Sequence, residues 1–294
     1  MKKVTLIVSI LVCIISYGQR DWSSVNITSE KLSENIYVLF GSGGNIGLAI
    51  GEDNAYLIDD QFSPLSDKIL AHVKTITDKP VKWVLNTHWH GDHTGGNENM
   101  ANQGAIIVAH ENVRKRMSTK QDRGGGRVAE PSPDSALPII TFNDKMTLYL
   151  GNGNSMHAMH VNDAHTDGDS YYYFPEDNVL HMGDNFFVGR YPYIDLNSGG
   201  DIDGLVSNVT MVLGIIDDET KIIPGHGKVA AKSDLLSYKE VISELRERVV
   251  TARAAGNSLE QTQKLGLSKE WDETHGQGFI NAERIIEFIY KSAD

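Results

Sequence analysis

Apolar positions along the chain fall into two successive series, each rich in strands first and helices afterwards. From Glu34 to Ile50 and from Asn54 to Asp60, short apolar runs between Gly-rich turns predict a meander of strands. Ser66 to Ile76 places Ile69, Leu70 and Val73 on one side at helical spacing. Val81 to Leu85 is a short buried-strand pattern that ends at a polar cluster, and Ala105 to Ala109 is another. The second series predicts strands over Ile139 to Phe142, Met146 to Leu150, Met156 to Val161, Tyr171 to Phe174 and Asn178 to His181. A helix over Gly204 to Ile216, a strand over Lys221 to Ile223, and helices over Leu235 to Ala255 and Ile280 to Tyr290 complete it. That order favours two sheets packed together with helices outside. Residues 118–138 differ: Lys120, Arg123 and Arg127 flank Gly124-Gly125-Gly126, and Pro131, Pro133 and Pro138 follow. This composition predicts a flexible, exposed loop, which is either a functional lid or a variable insertion.

The N-terminus follows a different rule. Lys2 and Lys3 precede an apolar run from Val4 to Ile15, interrupted only by Thr5 and Ser9, and Ser16-Tyr17-Gly18 offers small residues for cleavage. The pattern predicts a secretory signal peptide over residues 1–18 and an exported domain, periplasmic or secreted, over 19–294, with C-terminal helices from about 231. The run falls short of the ~20 apolar residues of a membrane span, so no stable span is expected after cleavage. Cys13 is the single cysteine and lies inside this segment, which leaves no disulfide framework and no thiolate for catalysis or metal binding. The 294 residues are 40% hydrophobic, enough for a sizeable core, and carry a formal charge of −12. An acidic surface repels a phosphate backbone, which argues against nucleic acid as a partner.

The candidate chemistry is concentrated after the Val81–Leu85 strand, in Thr87-His88-Trp89-His90-Gly91-Asp92-His93. Three imidazoles and a carboxylate within six residues suit zinc. In an extended or turning segment His88 and His90 point to one side, and Asp92 and His93 turn toward a second point. Three later residues extend the set: His165 in a turn between two strands, Asp184 just after the strand ending at His181, and His226 just beyond the strand at Lys221. Each stands at the C-terminal end of an apolar strand, where binding loops gather. His72, His110, His157, His160, His181 and His275 read as structural or solvated, with His160 and His181 near enough to the motifs to support ligands. Neither Gly95-Gly96 nor Gly124-Gly125-Gly126 has phosphate-loop or dinucleotide spacing.

His-x-His-x-Asp-His followed by a further His, an Asp and a last His resembles the metallo-β-lactamase superfamily. With Leu57-Ile58-Asp59 as the first motif, the resemblance covers roughly residues 35–230. It implies an α/β fold, an αββα sandwich of two mixed sheets with helices on the outside and the site at one edge of the sheets. It further implies that His88, His90 and His165 hold one metal, that Asp92, His93 and His226 hold a second, and that Asp184 bridges them. Two Zn2+ ions per chain are expected, with iron or manganese as alternatives. Asp59 matches the acid that orients a metal ligand by hydrogen bonding, although its neighbour Asp60 is not separable from it by sequence.

The implied enzyme is a metal-dependent hydrolase in which a hydroxide held by both metals attacks a carbonyl. Asp92 both binds metal and orients the nucleophile. No Gly-x-Ser-x-Gly motif competes with this reading. The substrate expected is a small molecule: an ester, lactone, thioester or lactam. True β-lactamases usually carry Cys or Ser where Asp184 stands, so Asp184 resembles the glyoxalase II-like and lactonase-like members instead. β-Lactamase proper, and a mononuclear iron enzyme resembling persulfide dioxygenases, are the alternatives. Phe186, Phe187, Tyr191 and Tyr193 could line an apolar substrate channel, and Arg123, Arg127 or Arg190 could pair a substrate carboxylate.

Overall fold

The computed structural model describes residues 21–124, 126–161 and 163–294. The segment read as a signal peptide lies outside the described residues. No helix among them is long and apolar enough to cross a membrane.

The first sheet is built from β1 (Thr28–Lys31), β2 (Ile36–Phe40), β3 (Ile46–Ile50) and β4 (Ala55–Ile58). Then follow α1 (Ser66–Ile76), β5 (Val81–Leu85), α2 (Gly91–Thr94), α3 (Asn97–Asn102), β6 (Ile106–His110) and α4 (Glu111–Met117). A small hairpin of β7 (Gln121–Asp122) and β8 (Val128–Ala129) precedes β9 (Ile140–Phe142). The strands pair in the order β1-β2-β3-β4-β5-β6-β9. Pairing is antiparallel as far as β4 and parallel from β4 to β9. The parallel pairs need crossovers, and the helical segments after β4, β5 and β6 supply them.

The second sheet runs β10 (Lys145–Gly151), β11 (Asn154–His160), β12 (Ser170–Phe174), β13 (Val179–Phe187) and β14 (Lys221–His226), in sequence order. Its last pair, β13 with β14, is parallel and is bridged by α5 (Ile202–Leu213). Asp201 caps α5 by accepting from the Asp203 and Gly204 amides. The chain ends in α6 (Lys232–Ala254), α7 (Leu259–Lys264), α8 (Asp272–His275) and α9 (Ala282–Ser292).

The central strands of both sheets are buried on both faces, which is why they read as nearly continuous apolar runs. Tyr56 and Ile58 of β4 face the second sheet and meet Tyr172, Phe174 and Ile223 in the inter-sheet core. Leu57 points the other way, into a layer with Ile69 and Val73 of α1. On the far side, Tyr171, Leu180 and Met182 pack beneath α5, α6 and α9 through Leu205, Leu245 and Ile285. The layers are therefore helix, sheet, sheet, helix, and both sheets are mixed.

Some boundaries differ from the sequence expectation, for local reasons. β13 continues past His181 to Phe187, because Gly183 at φ 52° takes up a bulge and lets the strand resume. Gly-Asp-Asn has turn chemistry, so the apolar pattern alone ends the strand too early. Asp184 is thus inside a strand, not after one, and His226 is the last residue of β14. Residues 118–138 contain the β7–β8 hairpin and a 3-10 turn at Asp134–Ala136 where a featureless loop is expected.

Candidate metal centre

The loop after β5 makes an abrupt change from strand to helix, and that change sorts its side chains. His88 and His90 lie in the bend, while Asp92 and His93 lie in the single turn of α2. His165 arrives from the β11–β12 turn, Asp184 from the bulged part of β13, and His226 from the end of β14. One ligand atom from each of His88, His90, His165 and Asp184 lies within 4.8 Å of all the others, and the same holds for Asp92, His93 and His226.

Asp184 stands between the two groups. Its Oδ2 is 3.5 Å from His165 Nε2 and 3.9 Å from His88 Nε2. Its Oδ1 is 3.2 Å from His93 Nε2 and 3.4 Å from His226 Nε2. Asp92 Oδ2 lies 3.3 Å from His226 Nε2 and 3.7 Å from His93 Nε2. A Cβ at Gly225 would sit 1.9 Å from Asp184 Oδ1, so only glycine lets β14 pass this close to the carboxylate.

The outward-facing nitrogens fix the tautomers. His93 Nδ1 donates to Asp59 Oδ2 at 2.7 Å. The Thr87 amide and hydroxyl donate to Asp59 Oδ1 and Oδ2 at 2.7 and 2.8 Å. Because the Thr87 hydroxyl proton is spent on Asp59, His88 Nδ1 must be the donor in its 3.0 Å contact with Thr87 Oγ1. His165 Nδ1 donates to the Tyr193 carbonyl at 2.7 Å, and His90 Nε2 donates to Asp195 Oδ2 at 2.9 Å. Each of these four rings therefore turns a lone pair inward: Nε2 of His88, His93 and His165, and Nδ1 of His90.

That arrangement calls for cations. His165 Nε2 and His90 Nδ1 are 2.8 Å apart with both outward N–H groups engaged, so two lone pairs face each other. His88 Nε2, His93 Nε2 and Asp184 Oδ1 are buried with no hydrogen-bond partner. Orphaned atoms of this kind are costly unless something else satisfies them. Nitrogen and carboxylate donors together suit a borderline divalent ion such as zinc, and the residues fit such an ion.

Where no cation satisfies these atoms a proton takes its place: against its burial, Asp184, Asp92 and Asp59 lift His93 well above the usual imidazole range. Burial pushes His88 well below the usual imidazole range, and its imidazole neighbours push it further. Burial would raise Asp92, but His93 and His226 hold it at about 2. Burial also opposes ionisation of Asp184, yet the imidazoles of His93 and His226 keep it well below the usual carboxylate range. His226 is lifted to about 9 because Asp184 and Asp92 outweigh its own burial.

Asp59 and Asp60, inseparable in the sequence, now differ. Asp59 supports His93 from a left-handed backbone (φ 64°), a conformation that persists only where the surroundings enforce it. Asp60 instead accepts from the Gly96 amide at 2.9 Å, and burial pushes its carboxyl well up. Asp195, the support for His90, is invisible in the sequence: a lone acid before Leu-Asn-Ser-Gly-Gly carries no distinctive signal. Ser198 donates to it at 2.7 Å, and it sits at about 2, where burial is overcome by the hydrogen bond from His90. His160 and His181 bond main-chain carbonyls, those of Asp169 and Asn45, and hydrogen-bond no ligand side chain.

The aromatic quartet divides as well. Phe186 is buried against Tyr238, whereas Phe187 stacks on His226 with ring centroids 5.5 Å apart. Phe187, Tyr191 and Tyr193 line a cleft over the ligand cluster, and Arg123, Arg127, Arg190 and Phe279 complete its wall.

Comparison with known proteins agrees with this architecture. A family model described as the metallo-beta-lactamase superfamily matches residues 39–242. The chain is 26% identical to hydroxyacylglutathione hydrolase GloC of Haemophilus influenzae over 60% of its own length and 81% of that protein. It is 21% identical to metallo-beta-lactamase type 2 of Bacteroides fragilis over 84% of its length and 98% of that protein. A metallo-beta-lactamase from Pontibacter korlensis superposes with a TM-score of 0.61 at 19% identity, covering 74% of this chain and 99% of that one.

Proposed function

The chain belongs to the metallo-β-lactamase superfamily, and from that premise we propose that it is an exported dinuclear zinc hydrolase acting on the acyl bond of an ester, lactone, thioester or lactam. The observation that carries the reading is the set of inward, partnerless donor atoms on His88, His93 and Asp184. We assign His88, His90 and His165 to one ion and Asp92, His93 and His226 to the other, with Asp184 shared because its two oxygens face the two groups. When bound, zinc supplies a nucleophile from water near neutral pH and a Lewis acid for the carbonyl.

The protein's own work is positioning. Asp59, Thr87, Asp195 and the Tyr193 carbonyl hold the imidazoles in the tautomers that ligation needs. Asp92 borders the cleft with its side chain 28% exposed, where its carboxylate would accept from and orient the attacking water. Phe187, Tyr191 and Tyr193 give the acyl group an apolar wall to lie against.

Among acyl substrates, the similarity to hydroxyacylglutathione hydrolases favours a thioester or ester, as does an aspartate at position 184. The similarity to a Bacteroides fragilis metallo-beta-lactamase supports lactams as the second reading. Residues 1–18 are assigned to export and 19–294 to a single catalytic domain, on the pattern of charge and apolar residues at the N-terminus.

The test is a substrate panel run on metal-quantified protein beginning at Gln19: a chromogenic cephalosporin, homoserine lactones, aryl esters and glutathione thioesters. Two zinc ions per chain and hydrolysis of at least one class are expected. Undiminished hydrolysis after metal removal overturns the mechanism. About one iron per chain with oxygen consumption replaces it with the mononuclear redox reading.

A further inference from the structure

Resting on that hydrolase reading, we propose that the substrate carries an anionic group, a carboxylate or its equivalent, which Arg123, Arg127 and Arg190 recognise at the rim of the cleft. The three guanidinium groups line the same cleft as His226 and Asp92. They are placed there in a chain whose formal charge is −12. Among the described residues, Arg116, Arg246, Arg248 and Arg284 pair with carboxylates, and Arg114 and Arg253 donate to carbonyls. Among those residues Arg123, Arg127 and Arg190 have no carboxylate partner, Arg127 donating only to the Gly124 and Arg123 carbonyls at 3.4 and 3.5 Å, although acids outnumber bases. Unpaired cations gathered at one opening of an acidic protein focus anions toward it.

The rim is also built. Arg123 and Arg127 face each other at the end of the β7–β8 hairpin, where the Arg123 amide donates to the Arg127 carbonyl at 2.9 Å. The hairpin is tied down at both ends. At its base, Arg116 bonds Gln121 Oε1 at 2.9 Å and forms a two-point ion pair with Asp167, two residues from the ligand His165. At its tip, the Arg123 guanidinium lies 4.9 Å from the centre of the Trp89 ring, and Trp89 stands between His88 and His90 in the chain. Arg190 approaches from the other side, its stem lying across Gly278. Phe279 is 84% exposed beside them. An acyl chain lying on Phe187, Tyr193 and Phe279 would present a terminal anion to the arginines, while its carbonyl faced the ligand cluster.

Two esters of equal size test this on zinc-loaded protein: the para-nitrophenyl monoester of glutaric acid and para-nitrophenyl valerate. In each, water cleaves the acyl–oxygen bond and releases the acid and para-nitrophenol. The anionic ester is expected to have the higher kcat/KM by about tenfold or more, chiefly through KM. That preference should shrink with added salt and largely vanish in an Arg123→Ala, Arg127→Ala, Arg190→Ala triple variant of unchanged zinc content. Lysine at the three positions should restore part of it. Equal hydrolysis of both esters, or a preference that survives in the alanine variant, overturns the proposal. If neither ester nor any member of the panel is hydrolysed, it is the hydrolase reading that fails. Calorimetric binding of hydrocinnamate against hydrocinnamide then decides the anion site: tighter binding of the acid that is lost in the alanine variant sustains it, and equal binding in both proteins removes it.

Discussion

The ligand cluster and the arginine rim are both polar and share one cleft, yet their physics differs. In the cluster, four histidines have one nitrogen committed to an outward acceptor and the other turned inward, and several of these atoms are fully buried. At the rim, Arg123, Arg127 and Arg190 are exposed and have no carboxylate partner among the described residues. Buried donors are set by everything around them, so the cluster admits little variation. Exposed cations are set by what they meet, so the rim can change its preference without disturbing the core. On the proposed reading, chemistry is thus fixed in one region and selection in the other.

Removing a cluster residue should have the largest effect. Asp184→Ala deletes the one side chain that faces both groups, and zinc content and kcat/KM should fall together, the latter on the order of a hundredfold or more. Metal analysis beside steady-state kinetics checks it; activity that persists at full rate without zinc contradicts the assignment. Asp59→Asn and Asp195→Asn come next. Each replaces a carboxylate acceptor with a group that no longer fixes its histidine's tautomer, so zinc affinity should drop by about 10- to 100-fold with the fold intact. Chelator competition measures this, and equal affinities in parent and variants would remove both residues from the ligand-positioning role.

A smaller effect separates the site from its surroundings. His110 is stacked on His160 with centroids 3.7 Å apart, and burial with that neighbour lowers it to about 4. Its folded pKa lies below the unfolded value of ~6.5, so the unfolded chain takes up the proton first as pH falls. Its contribution is therefore present above about pH 6.5 and is lost toward pH 4. The gap in urea midpoint between the parent and His110→Gln should narrow on acidification over that window; a gap independent of pH contradicts it.

The sequence exposes the cluster better than the rim because ligand chemistry is discrete. His and Asp gathered at the ends of apolar strands are rare outside metal-binding and catalytic sites, and Val81–Leu85 leads straight into the ligand loop as its apolar run implies. Both sheets and the long C-terminal helix are legible for a related reason: burial writes continuous or periodic apolar runs. What escapes is set by contacts between distant segments. Asp195 is one acid among many until His90 is placed beside it. Short helices such as α3, α7 and α8 have too few turns to show a period. The bulge at Gly183 and the hairpin inside 118–138 depend on tertiary contacts that override turn-forming composition.

The distribution of the seven ligand candidates along the chain has a mechanical consequence. Four come from the segment before β9 and three from the strands and turns after β10, and only Asn143 and Asp144 join those two strands. Loaded with zinc, the centre is a reversible crosslink between the two halves. A chain nicked at that junction should survive size-exclusion chromatography as one particle more readily with metal than after chelation.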